Sequence, residues 1–263
     1  MRPVRGCRVL TAALVVCGAL GFAGFAGAQS GVADNVKAAE ANLNLGIAYY
    51  RADNLTLAKD KLERAREQNP RNAQVHGALA LLYARLGDQS RADSEFNSAL
   101  RLAPSDPEQL NNYAVYLCGR GKTDAGVQRF TQAAANPLYK TPWVAWTNAG
   151  VCLRSASRDT EAATQFDKAL RSQPGYAEAV YQYADLDLAR QQPAASFRRV
   201  EDWLAANPKA TPDLLYTGWR AARALGDQLS ALKLARRLQT DFPSASQTLA
   251  VAGGGASAGN GAR

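Results

Sequence analysis

The chain repeats itself every 34 residues, and a period of that length belongs to architectures that stack one supersecondary unit. Gly46, Tyr49, Ala58, Leu62, Ala65 and Pro70 recur as Ala80, Tyr83, Ala92, Phe96, Ala99 and Pro104. A later unit carries the pattern again as Trp146, Gly150, Ala162, Phe166, Ala169 and Pro174. Each position has a physical reason. The small residue (Gly46, Ala80, Ala114, Gly150) lets two helices approach closely, and the large one (Tyr49, Tyr83, Leu117, Leu153) fills the space beside them. Ala58, Ala92 and Ala162 sit where the second helix crosses the first. Pro70, Pro104, Pro174 and Pro208 stop the second helix, because proline lacks an N–H and biases its predecessor away from the α region. Turns inside the units read as Arg51-Ala52-Asp53-Asn54, Leu86-Gly87-Asp88 and Leu225-Gly226-Asp227.

These positions are those of the tetratricopeptide-repeat (TPR) pattern, which the chain resembles. The expected fold is all-α, a solenoid of about six helix-turn-helix units in a right-handed superhelix. The units are placed at 39–72, 73–106, 107–140, 143–176, 177–210 and 211–244. The third is imperfect, with Gly126 in place of alanine and a longer link over Asn136–Pro142. The fifth and sixth are degenerate, as terminal repeats facing water on one side tend to be. Residues 245–263, rich in Gly, Ala and Ser, read as a flexible tail with nothing to bury.

The N-terminus reads as an export signal: three arginines (Arg2, Arg5, Arg8), the apolar run Val9–Phe25, then Ala26-Gly27-Ala28. Cleavage after Ala28 is one reading. The other is a lipoprotein signal, Leu14-Val15-Val16-Cys17, in which Cys17 carries the lipid, although Val16 is larger than such a site prefers. Both place the protein outside the cytoplasm. No second stretch of 18 apolar residues follows. Without residues 1–28 the chain holds 28 basic and 23 acidic residues, spread without blocks or arginine–aromatic stripes, which argues against nucleic acid as a partner.

Function in a helix-pair solenoid is expected on the concave face lined by the first helix of each unit. The second, fifth, ninth, twelfth and thirteenth residues face inward; in unit one these are Glu40, Leu43, Ile47, Tyr50 and Arg51. Leu43, Ile47 and Tyr50 suggest an apolar groove, which Leu81 and Ala84 extend into unit two, where Arg85 repeats Arg51 at a distance of 34. Asn111 and Arg154 mark a more polar stretch in units three and four, where Asn112 and Asn148 are placed to bond a partner's backbone. A lysine clamp for a C-terminal carboxylate is absent, since Leu43, Gly77 and Asn111 stand at its first position.

Cys118 and Cys152 lie 34 apart in consecutive first helices and are expected to form a disulfide in an oxidising compartment. No glycine-rich phosphate loop, nucleophile elbow or metal-ligand cluster appears, so neither an enzyme nor a cofactor, metal or small-molecule substrate is expected. The lone histidine, His76, reads as a packing residue.

Beyond the generic repeat, the chain resembles the PilF/PilW-type proteins of type IV pilus biogenesis. The likeness centres on residues 104–176, with Asn111-Asn112-Tyr113, Asn136-Pro137-Leu138-Tyr139 and Asn148-Ala149-Gly150 prominent. The resemblance implies a noncatalytic pilotin, an outer-membrane lipoprotein that helps the pilus secretin reach the outer membrane and form multimers. It also favours Cys17 as the lipidated residue. Two further functions remain open: another periplasmic adaptor for outer-membrane protein assembly or cell-wall synthesis, and a regulatory subunit of an envelope enzyme.

Overall fold

A computed structural model describes residues 25–256, and the side chains of residues 34–252. Residues 1–24, with Cys17 and most of the expected export signal, lie outside the described residues, as do residues 257–263. The described chain is all helix. The first helices of the units, here A helices, are α1 (Phe25–Arg51), α3 (Ala73–Arg85), α5 (Pro107–Gly119), α7 (Pro142–Ser155), α9 (Ala177–Ala189), α11 (Pro212–Ala224) and α13 (Ser246–Ala256). The second, or B, helices are α2 (Leu55–Gln68), α4 (Gln89–Leu102), α6 (Thr123–Ala134), α8 (Asp159–Ser172), α10 (Pro193–Ala206) and α12 (Gln228–Asp241).

From α1 to α11 each A helix packs on its own B helix and on the next A helix, and each B helix also meets the A helix that follows. The core is therefore a continuous seam between the A and B layers. Tyr83, Phe96, Phe130 and Phe166 are its largest fully buried side chains. The small position is a requirement of geometry. A Cβ on Gly46 would stand 2.6 Å from Leu62, and one on Gly150 would stand 2.4 Å from Phe166.

Helix starts are fixed by side chains that accept the otherwise unpaired N–H groups of the first turn. Asn54, Asn72, Asp88, Asp106, Thr211 and Asp227 do this for α2, α3, α4, α5, α11 and α12. Between A and B helices the chain turns through a left-handed residue. Gly87, Gly121 and Gly226 occupy that conformation, and so do Asp53, Ser157 and Gln191.

Two expectations change. The first helix begins at Phe25, ahead of the repeat boundary at residue 39. The flexible tail expected from residue 245 is instead helical over Ser246–Ala256, packed on α11 and α12. Ser246 lies 34 residues after Pro212, so α13 is the A helix of a seventh unit. Val251, Leu215, Leu234 and Leu238 share one apolar cluster, which is the burial that composition alone did not reveal.

Candidate protein-interaction surface

The A helices line one face of the stack, and at its N-terminal end three of them enclose a hollow of about 450 Å³. α1 contributes Ile47, Tyr50 and Arg51; α3 contributes Gln74, Ala78 and Leu81; α5 contributes Glu108, Gln109 and Asn112. Leu62 of α2 shows through the floor. Apolar side chains thus form the base, and amides and charges form the rim. Arg51 and Glu108 are exposed on opposite walls. Partial burial, and then the neighbouring Asp106, push the Glu108 carboxyl above its ordinary range.

Of the eight residues singled out from sequence, Ile47, Tyr50, Arg51 and Leu81 line this hollow. The other four do not. Leu43 is 4% exposed and belongs to the core cluster with Leu62 and Ala58, so the fifth position of α1 points into the seam. Arg85 clamps unit two onto the turn of unit one: its guanidinium lies 2.8 Å from the Asp53 carboxylate, donates to the Tyr50 carbonyl at 3.2 Å, and sits over the Tyr50 ring at 5.2 Å. Asn111 is buried and accepts a hydrogen bond from Asn148 at 3.1 Å, tying α5 to α7. Arg154 pairs with Asp185 at 2.5 Å, and Arg220 takes the other oxygen at 2.7 Å, so one carboxylate joins α7, α9 and α11. These three polar side chains are spent on neighbouring helices.

Sequence reasoning missed Gln74, Ala78, Glu108 and Gln109. Gln74 and Glu108 hold the second position of their units, already read as inward-facing, and Ala78 the sixth, which shares that face; Gln109, at the third, carries no such signal. Gln109 is nearly buried, and its side-chain oxygen has no hydrogen-bond donor. It packs onto Gly77, where a Cβ would come within 2.0 Å.

Further along, Val115, Asn148 and Val151 border a smaller hollow of about 240 Å³. Cys118 and Cys152 form a disulfide at its edge, joining α5 to α7 with a Cα–Cα distance of 5.6 Å. Ile47, Leu81, Val115 and Val151 all hold the ninth position of their units, so an apolar line runs through the first four units.

His76 stands apart from this face. Its Nδ1 lies 2.5 Å from Glu95 and its Nε2 2.9 Å from the Pro70 carbonyl, while Arg66 donates to the other Glu95 oxygen at 2.7 Å. The group braces α2, α3 and α4 and faces no cavity described above. Among the described residues no cluster of His, Cys, Asp or Glu could hold a metal ion, and no helix is long and apolar enough to cross a membrane.

Comparison with known proteins follows the same lines. The tetratricopeptide-repeat family model matches residues 43–107 and 114–177. The type IV pilus assembly protein PilF of Pseudomonas aeruginosa is 26% identical over 79% of this chain and 82% of its own. An uncharacterized protein of Haemophilus influenzae is 30% identical over 46% of this chain and 68% of its own. Among solved structures, PilW, described as a widely conserved type IV pilus biogenesis factor, superposes with a TM-score of 0.67 at 26% identity, covering 81% of this chain and 97% of that one. The structure of Pseudomonas aeruginosa pilF shares the fold at 23% identity, with a TM-score of 0.65 over 84% of this chain and 99% of that one.

Proposed function

We propose that this chain, a tetratricopeptide-repeat protein related to the PilF and PilW pilus biogenesis factors, is a noncatalytic adaptor of type IV pilus biogenesis whose N-terminal hollow holds a segment of the outer-membrane secretin. One observation carries this reading. Ile47, Tyr50 and Leu81 line an open hollow between α1, α3 and α5 that no other helix of the described chain fills.

The physical task is to shield and deliver. A subunit that will join a multimer has, before assembly, apolar surface that its neighbours later cover. An apolar base surrounded by amides suits a polypeptide, with side chains buried on Ile47 and Leu81 and backbone groups bonded by Gln74 and Asn112. Each aliphatic anchor fully buried there contributes roughly 1.5–3 kcal/mol before ordering costs. In this reading the protein acts at the periplasmic face of the outer membrane. A lipid on Cys17 would direct the complex there, while a chain cut after Ala28 would act as a soluble periplasmic carrier. One acyl chain binds a membrane only marginally, so a lipidated form needs further chains or contacts to stay anchored.

The test substitutes Ile47→Asp and Tyr50→Glu in the native host. Both side chains are partly exposed, so the fold should survive, which circular dichroism checks. Secretin multimers on an immunoblot should fall several-fold, with monomer accumulating. Unchanged multimers with a folded variant remove the hollow from the mechanism.

A further inference from the structure

The hollow between α1, α3 and α5 carries polar groups that the fold itself does not use. Gln74, Gln109 and Asn112 line it, and none of their side-chain amides has a hydrogen-bond partner among the described residues. Gln109 is only 4% exposed, so burial has already taken most of the water from its amide. Its oxygen is closed off against Gly77, which leaves the amide nitrogen to answer a partner's carbonyl. A buried amide without a partner costs free energy that a hydrogen bond to a ligand returns.

Two charges on opposite walls are also unpaired. Arg51 ends α1 and Glu108 lies in the first turn of α5, and neither side chain makes an ion pair or hydrogen bond among the described residues. The charges beside them are engaged elsewhere: Arg85 pairs with Asp53, and Asp106 accepts from the Glu108 and Gln109 N–H groups. Partial burial and the nearby Asp106 both work against the charge on Glu108, so a cation set beside it relieves them. The apolar base lies toward the end of α1 and the middle of α3, while the amides lie on α5 and at the start of α3. Resting on the reading that this hollow holds a partner's segment, we propose that the segment binds as an extended chain, with an aliphatic side chain on Ile47 and Leu81, an acidic residue at Arg51 and a basic residue at Glu108. A helix satisfies its own main-chain groups and offers the amides nothing but side chains. An extended chain presents free N–H and C=O groups, which match the paired donor and acceptor of an amide. A segment of one sign throughout fits poorly, because it meets a like charge on one wall or the other.

The experiment pans a phage-displayed library of linear nine-residue peptides on the purified protein, with counter-selection on Ile47→Asp. The enriched peptides should carry an acid and a base on either side of an aliphatic residue, without a helical stripe at i, i+3 or i+4, and i+7. A labelled synthetic copy of the best peptide should bind several-fold more weakly to Arg51→Glu and to Glu108→Arg, and about fivefold more weakly to Asn112→Ala. The double variant Arg51→Glu, Glu108→Arg should recover affinity for a peptide whose acid and base are exchanged. Arg51 and Glu108 are exposed, so these variants keep the fold, which thermal melting checks. The proposal fails if no peptide survives counter-selection, if the enriched peptides are helical or of one sign, or if the exchanged peptide is not recovered. It also fails if sedimentation shows a dimer that Ile47→Asp dissociates, which gives the hollow to a second copy. The secretin assignment is tested apart from this: peptides that behave as expected beside unchanged secretin multimers in Ile47→Asp uphold the extended, two-signed occupant and remove only the secretin. Multimers lost in Ile47→Asp but kept in both charge reversals uphold the secretin and overturn the charge pattern.

Discussion

Gly126 shows how one residue answers to another far from it in sequence. The repeat asks for alanine there, yet a Cβ at that position would lie 2.4 Å from the Cys118 sulfur. The third unit gives up its methyl group to make room for the disulfide. His76 and Glu95 make a second local claim, about charge. Nε2 donates to the Pro70 carbonyl, so only a doubly protonated ring also has a proton for Glu95. The hydrogen bond to Glu95 holds the imidazolium above its ordinary range, with burial opposing. Burial works against the charge on Glu95, but hydrogen bonds from His76 and Arg66 outweigh it and hold the carboxyl low. The raised histidine contributes stability that is complete below about pH 6.5 and fades as pH rises through its folded pKa. The lowered carboxyl contributes above about pH 4.5 and fades as pH falls. Stability of the wild type relative to His76→Gln should therefore shrink from pH 6 to pH 9. The loss should reach up to the roughly 1.5–3 kcal/mol of a charge-assisted hydrogen bond. Urea unfolding at three pH values checks this, and a constant difference would contradict the charged ring.

At the scale of elements, the turns inside the units are under unequal strain. Three place glycine in the left-handed conformation, while Asp53, Ser157 and Gln191 adopt it with a side chain at φ of 60°, 58° and 58°. A left-handed L-residue costs about 1–2 kcal/mol, and glycine gives back part of the gain through its freer unfolded chain. Gln191→Gly should thus stabilise the protein by roughly 0.5–1 kcal/mol, and Gly87→Ala should destabilise it by about 1 kcal/mol. Urea midpoints at constant slope measure both. α13 teaches a related lesson. Its composition reads as a linker, but its spacing of 34 from α11 continues the array, and Gln247 reaches back to Asp213 at 2.6 Å. The period outranked the composition because a helix that completes a packed seam gains burial that its own propensity does not supply.

Across the whole molecule, a stack whose units touch only their neighbours can part at any seam, and the disulfide crosses the third. Closing a loop between cysteines 34 apart is worth about 3–4 kcal/mol in the chain-entropy picture. Reduction, or Cys118→Ala with Cys152→Ala, should lower the unfolding midpoint and let units one to three melt apart from the rest, which hydrogen exchange resolves by segment. What the sequence determined alone was the period, and with it the helix pairs, their small and large seam positions and the proline stops, because those demands repeat in every unit and are met between near neighbours. It also placed Ile47, Tyr50, Arg51 and Leu81 on the open face. Tertiary structure decided the rest. Leu43 turned into the seam, and Arg85, Asn111 and Arg154 were taken up by Asp53, Asn148 and Asp185 on neighbouring elements. A helical period tells which side a residue is on, but whether a polar group there is still available depends on how closely the next helix approaches, and that distance is set only when the units are stacked.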